Sequence, residues 1–170
     1  MTQRQPILLN TSAVASSARE AAFRIDFNDF EPRASRVIAL DGAAAEVVRR
    51  LAAGTWAGGR FLLFDELVDD GGERDATLRT IDGQPRRLIE ELEDSDVVVM
   101  IATAEARPEA AAVVGDAAAA RPVMSAALVL AENGDAEVED AVAVLRPNAM
   151  VMLLLHDEQD VGEVLSALRV

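Results

Sequence analysis

From Arg36 to its end, the chain alternates short, nearly unbroken apolar runs with stretches of helical periodicity, and few architectures accept that rhythm. Arg36–Leu40 (RVIAL), Arg60–Asp65 (RFLLFD), Asp96–Thr103 (DVVVMIAT), Val123–Leu130 (VMSAALVL) and Ala149–Leu155 (AMVMLLL) read as strands. Runs such as VVVMI and MVMLLL have no wet face, which fits a parallel sheet covered on both sides. Between the runs, Ala43–Ala53 sets Val47, Val48 and Leu51 on one side of a helix and Glu46, Arg49 and Arg50 on the other, with Gly54 as its cap. Ala76–Ile81 alternates as a short, partly exposed strand does. Pro85 suits the first turn of a helix running to about Glu93, where its missing N–H costs nothing. Further helices are expected over 108–120, over 135–145, stopped before Pro147, and over 160–169. Strands and helices in this order predict a three-layer α/β fold: a mostly parallel, Rossmann-like sheet with helices on both faces. The expected organisation is an N-terminal arm, 1–35, and one α/β domain, 36–170.

Within the arm, Pro6–Leu9 fits an edge strand and Thr11–Phe23 a helix capped by Thr11 or Ser12. The following FRIDFNDFEP holds Phe23, Phe27 and Phe30, three of the five Phe residues. Such an arm either packs on its own domain or covers a neighbouring subunit.

Composition removes whole classes of chemistry. The 170 residues include no Cys and no Tyr, one His (His156) and one Trp (Trp56), and all sixteen basic residues are Arg. Disulfides, thiol nucleophiles, Schiff-base lysines and the lysine-bearing P-loop are therefore excluded. A net charge of −14 argues against nucleic acid or an anionic membrane as partner. That charge is uneven: residues 1–35 hold four Arg and four acids, whereas 131–170 hold two Arg against nine acids. No run approaches the length of a membrane span, and the opening MTQRQPILLNTS lacks a secretory apolar core, so a cytoplasmic setting is expected.

Between Val37 and Leu130 the order of elements resembles the nucleotide-binding half of the FtsZ/tubulin family. The text VIALDGAAAEVVRRLAAGTWAGGRFLLFDE stands where the family has a strand, a glycine-rich loop and a helix ending near glycine. LIEELEDSDVVVMIATAEARPEAAAVVGDAAA stands where it has a short helix, an acidic turn, a strand and the phosphate signature GGGTGTG, and VMSAALVLAE follows as the next strand. The resemblance covers about 95 of the 170 residues. It implies a nucleotide-binding fold, while the chain departs at the loops that would hold phosphate. Gly42 is followed by Ala43, Ala44 and Ala45, and the signature loop is replaced by Thr103-Ala104-Glu105-Ala106-Arg107-Pro108. Glycine lets main-chain N–H groups close on phosphate; a carboxylate repels it and proline removes a donor. On this resemblance, GTP hydrolysis and filament formation are expected to be lost.

Ligands of open parallel sheets bind outside the carboxyl ends of the strands. The loops there hold Asp41-Gly42, Asp65-Glu66, Thr103-Ala104-Glu105, Glu132-Asn133-Gly134 and His156-Asp157. Asp41, Asp65, Glu105, Glu132 and Asp157 would bind a divalent or organic cation if they converged, or are simply solvated loop tips. Gly42 opens a helix whose N–H groups suit an anion, and Thr103 is placed to meet a ribose or phosphate. His156 is the one histidine, the residue type suited to proton transfer near neutrality, and reads either as an acid/base group or as a strand-end cap. Trp56, in GTWAGG, is a surface anchor or folds back over the core. No Gly-x-Ser-x-Gly elbow is present, and no serine pairs with His156 in the sequence.

Two functions fit. One is a non-catalytic α/β domain of nucleotide-binding-fold ancestry, working through protein contacts or self-association. The other is a small-ligand or nucleotide-binding enzyme or sensor that uses the acidic strand-end crevice. No cofactor is assigned to either.

Overall fold

A computed structural model describes residues 32–69, 71–131 and 138–170. Of the arm expected over 1–35, residues 1–31 with the three Phe residues lie outside the described residues, as does the Glu132–Gly134 loop. β1 (Ser35–Ala39) leads through α1 (Gly42–Ala52) to β2 (Gly59–Val68), which turns back as β3 (Asp75–Thr80) and β4 (Pro85–Arg87). α2 (Leu88–Glu93) then returns the chain to β5 (Val97–Ala102), and α3 (Pro108–Ala119) connects to β6 (Met124–Leu130). α4 (Val138–Leu145) runs into a 3-10 turn (Arg146–Asn148), followed by β7 (Val151–Leu155) and α5 (Glu158–Ala167). The sheet has the order β4-β3-β2-β1-β5-β6-β7. Its five right-hand strands in that order, β2 to β7, are parallel; β3 and β4 are antiparallel additions.

The apolar runs explain themselves in this sheet. Side chains alternate between faces along a strand, and here both faces are covered. Ile38, Leu62, Val98, Met100, Ala127 and Val129 join the core under α2, α3 and α4. Val37, Phe61, Val99, Ile101, Ala126 and Leu128 join a second core with Ala44 and Val48 of α1 and Val161 and Leu165 of α5. The expected three-layer, mostly parallel Rossmann-like arrangement is the observed one.

Two local expectations are corrected. Pro85 begins no helix: Pro85–Arg87 pairs antiparallel with β3, and α2 starts only at Leu88. Proline's fixed φ and absent N–H are as acceptable at a sheet edge as in a first helical turn. The second correction concerns β7, expected to be buried on both faces. Among the described residues it is an edge strand, and Val151, Leu153 and Leu154 are exposed. Of the two orientations open to Trp56, the structure shows the inward one. Its indole N–H donates to the Leu51 carbonyl at 2.7 Å, and its ring lies 5.4 Å from that of Phe61.

At the amino-terminal ends of the strands a buried ion cluster joins β1, β2 and α2. Glu91, 4% exposed, accepts from Arg36 Nε at 2.9 Å and from Arg60 at 2.8 and 2.9 Å. Arg36 is itself 6% exposed, so neither charge has water to fall back on.

Candidate crevice at the carboxyl ends of the strands

The strand order reverses at β1. The chain leaves β1 through α1 toward β2 on one side and later returns to β5 on the other. The two connecting helices leave the ends of β1 and β5 splayed apart, the place where open α/β sheets hold ligands. A crevice of about 510 Å³ opens near this point. Ala43, Val47 and Arg50 of α1, at i, i+4 and i+7, form one wall. Thr103 to Glu105 form the second; the ends of β6 and β7 supply Leu130, Ala131 and His156, and the first residue of α5 supplies Glu158.

Asp41 ties the crevice together from below. Its carboxylate accepts from the Ala44 N–H at 2.8 Å, the Thr103 N–H at 2.8 Å and the Thr103 hydroxyl at 3.0 Å. The first bond caps α1; the other two clamp the β5 loop against the β1 loop. With 7% of its surface exposed, Asp41 is fully used by its own chain. It also sets a negative charge at the helix N-terminus, where a nucleotide-binding relative would need room for phosphate. Gly42 is exposed, and a Cβ added there would meet nothing within 4 Å. No close approach requires a glycine at this position.

Thr103 is equally committed. Its hydroxyl donates to Asp41 and accepts from the Glu105 N–H at 3.2 Å. His156 is exposed, with Nδ1 3.1 Å from the Ala131 carbonyl. A carbonyl can only accept, so in this contact Nδ1 carries the proton. Arg50 and Glu158 close the rim through three contacts of 2.6 to 3.0 Å. Glu158, accepting from the guanidinium, raises Arg50 above the ordinary arginine value; desolvation opposes this, and the charges of Glu158 and Glu46 add to it.

Of the residues expected from the sequence, the crevice brings together Thr103, Glu105 and His156, with Asp41 and Gly42 beneath and beside them. It does not gather Asp65 or Asp157. Asp65 sits at a bulge in β2 and pairs with Arg79 of β3 at 2.7 Å. Asp157 caps α5 by accepting from the Gln159 N–H at 2.8 Å. Among the described residues no group of three His, Asp or Glu side chains stands close enough to hold a metal ion. Sequence reasoning missed Arg50 and Glu158 as crevice residues. The i, i+4, i+7 spacing of Ala43, Val47 and Arg50 was the available signal for the first.

Arg107 is another residue the sequence reading passed over. It stacks 4.8 Å over Phe64, and its N–H groups reach the carbonyls of Leu40 and Phe64 at 3.4 and 3.5 Å. Its guanidinium thus ties the carbonyl that follows β1 to one within β2 while its charge rests on the Phe64 ring. Among the described residues no helix is long and apolar enough to cross a membrane. Compared with protein-family models, with curated proteins and with solved structures, the chain finds no match.

Proposed function

We propose that the chain is a non-catalytic α/β domain of nucleotide-binding-fold ancestry, of the FtsZ/tubulin type, that acts through contacts with protein. One observation carries the reading: the seat at the α1 N-terminus is filled by the chain's own carboxylate, with Asp41 held there by Ala44 and Thr103. A phosphate brought to that seat would meet a buried negative charge that cannot leave without breaking three hydrogen bonds. The hydroxyl of Thr103 is bound on both sides, so nothing frees it as a nucleophile. Exposed large apolar side chains meanwhile gather at β7, the kind of surface that partners cover.

The size of the crevice favours a second reading, a small-ligand site served by Glu105, His156 and Arg50. At about 510 Å³ it falls within the roughly 300–1,000 Å³ of small-molecule pockets. A thermal-shift panel of nucleotides, coenzyme A, flavins and divalent metals separates the two. The first reading expects an unchanged midpoint throughout. A ligand that binds the native state stabilises it by about 2.7 kcal/mol at a hundredfold excess over Kd. A clear rise with any nucleotide or other panel member overturns the protein-contact reading in favour of the second.

A further inference from the structure

The sheet ends in two edges of opposite character. β4 is Pro-Arg-Arg: proline has no N–H to offer a new strand, and two adjacent charges deter one. β7 is Val-Met-Leu-Leu-Leu, without charge, proline or glycine, and among the described residues it is bonded on one side only, to β6. Met150, Val151, Leu153 and Leu154 are exposed by 75, 49, 39 and 47%. Leu155 contributes to the α1/α5 core and Met152 to the opposite one, so by alternation Leu153 and Leu154 present apolar surface on the two faces of this edge.

The main chain is available too. The Leu155 carbonyl accepts from the Ala131 N–H at 2.9 Å, which turns the polar groups of Leu155 toward β6. Alternation along the strand then directs the N–H and C=O groups of Met152 and Leu154 outward.

We propose that β7 pairs antiparallel with β7 of a second copy of this chain, continuing the sheet across a two-fold axis through Leu153. The inference rests on the protein-contact reading above and names its partner. With the axis at Leu153, Met152 of each copy faces Leu154 of the other and exchanges main-chain hydrogen bonds with it. Leu153 meets its own counterpart in a non-hydrogen-bonded pair, where side chains come closest. Charge selects this direction. Exposed Arg146 lies before β7, and Asp157, Glu158 and Asp160 follow it. Antiparallel pairing brings the basic start of one strand to the acidic end of the other; parallel pairing sets acids on acids. For two copies of net charge −14 that distinction matters, because elsewhere like charges keep them apart.

Sedimentation equilibrium on the full chain, over a hundredfold range of concentration, is expected to show a species of twice the 18.1 kDa chain mass. Leu153→Arg and Leu153→Glu, each checked for folding by circular dichroism, weaken self-association by about tenfold or more, because like charges then face each other across the axis. Mixing the two variants restores the double mass, since opposite charges now face. Hydrogen exchange on the unaltered chain supplies a measurement independent of any variant. The Met152 and Leu154 amides gain protection as concentration rises.

A unaltered chain that stays monomeric throughout overturns the proposal, and so does a mixture that fails to recover when both variants fold. Protection independent of concentration means that something other than a second copy covers the strand, which overturns it as well. A monomer that is also unmoved by the ligand panel removes the second copy and leaves the protein-contact reading standing. A ligand that stabilises the chain removes that reading instead.

Discussion

Glu91 holds Arg36 and Arg60 of neighbouring strands at the buried foot of the sheet, with Arg86 of β4 at 4.0 Å, and its removal tests how much the fold depends on one carboxylate. Glu91→Ala leaves Arg36 inside with no counter-charge, and breaking a buried pair in this way costs about 3–5 kcal/mol. Urea unfolding should show the loss as a lowered midpoint. The double change Arg36→Met, Glu91→Leu removes both charges and should recover most of it, because an apolar pair of similar volume has no desolvation to offset. Recovery no better than Glu91→Ala alone would argue that Arg60 or the Asp94 carbonyl, 3.4 Å from Arg36, carries the cluster. None of this could be read from the sequence, because Arg36 and Glu91 lie 55 positions apart. Asp41 was visible as a strand-end acid, yet its role depended on Thr103, 62 positions away. A residue's type shows which bonds it can make; only the fold supplies the partner.

Elements were legible where they were set by local pattern. β1, β5 and β6 follow their apolar runs to within a residue or two, and α1 begins immediately after its capping Asp41. β4 was not legible, because Pro85 satisfies the rules of an edge strand and of a first helical turn alike. The composition of β7 matches that of a buried interior strand, whereas edge or centre is decided by strand order, a non-local property. The β3–β4 turn offers a test at this scale. Gly83, at φ 87°, takes a conformation that other residues rarely adopt, and Thr80 spans the turn to Gln84. The Thr80 hydroxyl donates to Asp82 and holds its carboxyl below the ordinary range; the Asp82 backbone N–H acts in the same direction, desolvation opposes it, and the Arg86 charge adds to the lowering. A lowered pKa in the folded state means stability that is present above the unfolded value and lost as pH falls through the folded one. Asp82→Ala should therefore melt below the unaltered chain at neutral pH. The gap should narrow as pH drops below the ordinary value of 3.8. A gap constant down to strongly acidic pH would assign the effect to the turn's geometry rather than to the charge.

At the scale of the whole molecule, the net charge of −14 sets the folded chain against itself. The ion pairs on its surface, such as Arg49 with Glu46 and Arg74 with Asp116, are exposed on both sides and contribute little individually. Self-repulsion should outweigh them. Added sodium chloride, which shortens the Debye length from about 30 Å at 0.01 M to about 10 Å at 0.1 M, should raise the melting midpoint. A midpoint that falls instead would show that the surface pairs are worth more than the repulsion.

Trp56 gives such measurements an unusually clean reporter. The chain has no tyrosine and no second tryptophan, so its near-ultraviolet emission issues almost entirely from one indole. That indole is half-buried beside Phe61, its N–H held by the last turn of α1, and it lines neither the crevice nor β7. Its spectrum should therefore shift when the chain unfolds and stay still when a ligand fills the crevice or a second copy docks. Fluorescence and mass, followed on one sample, become two independent channels: one for folding, the other for company.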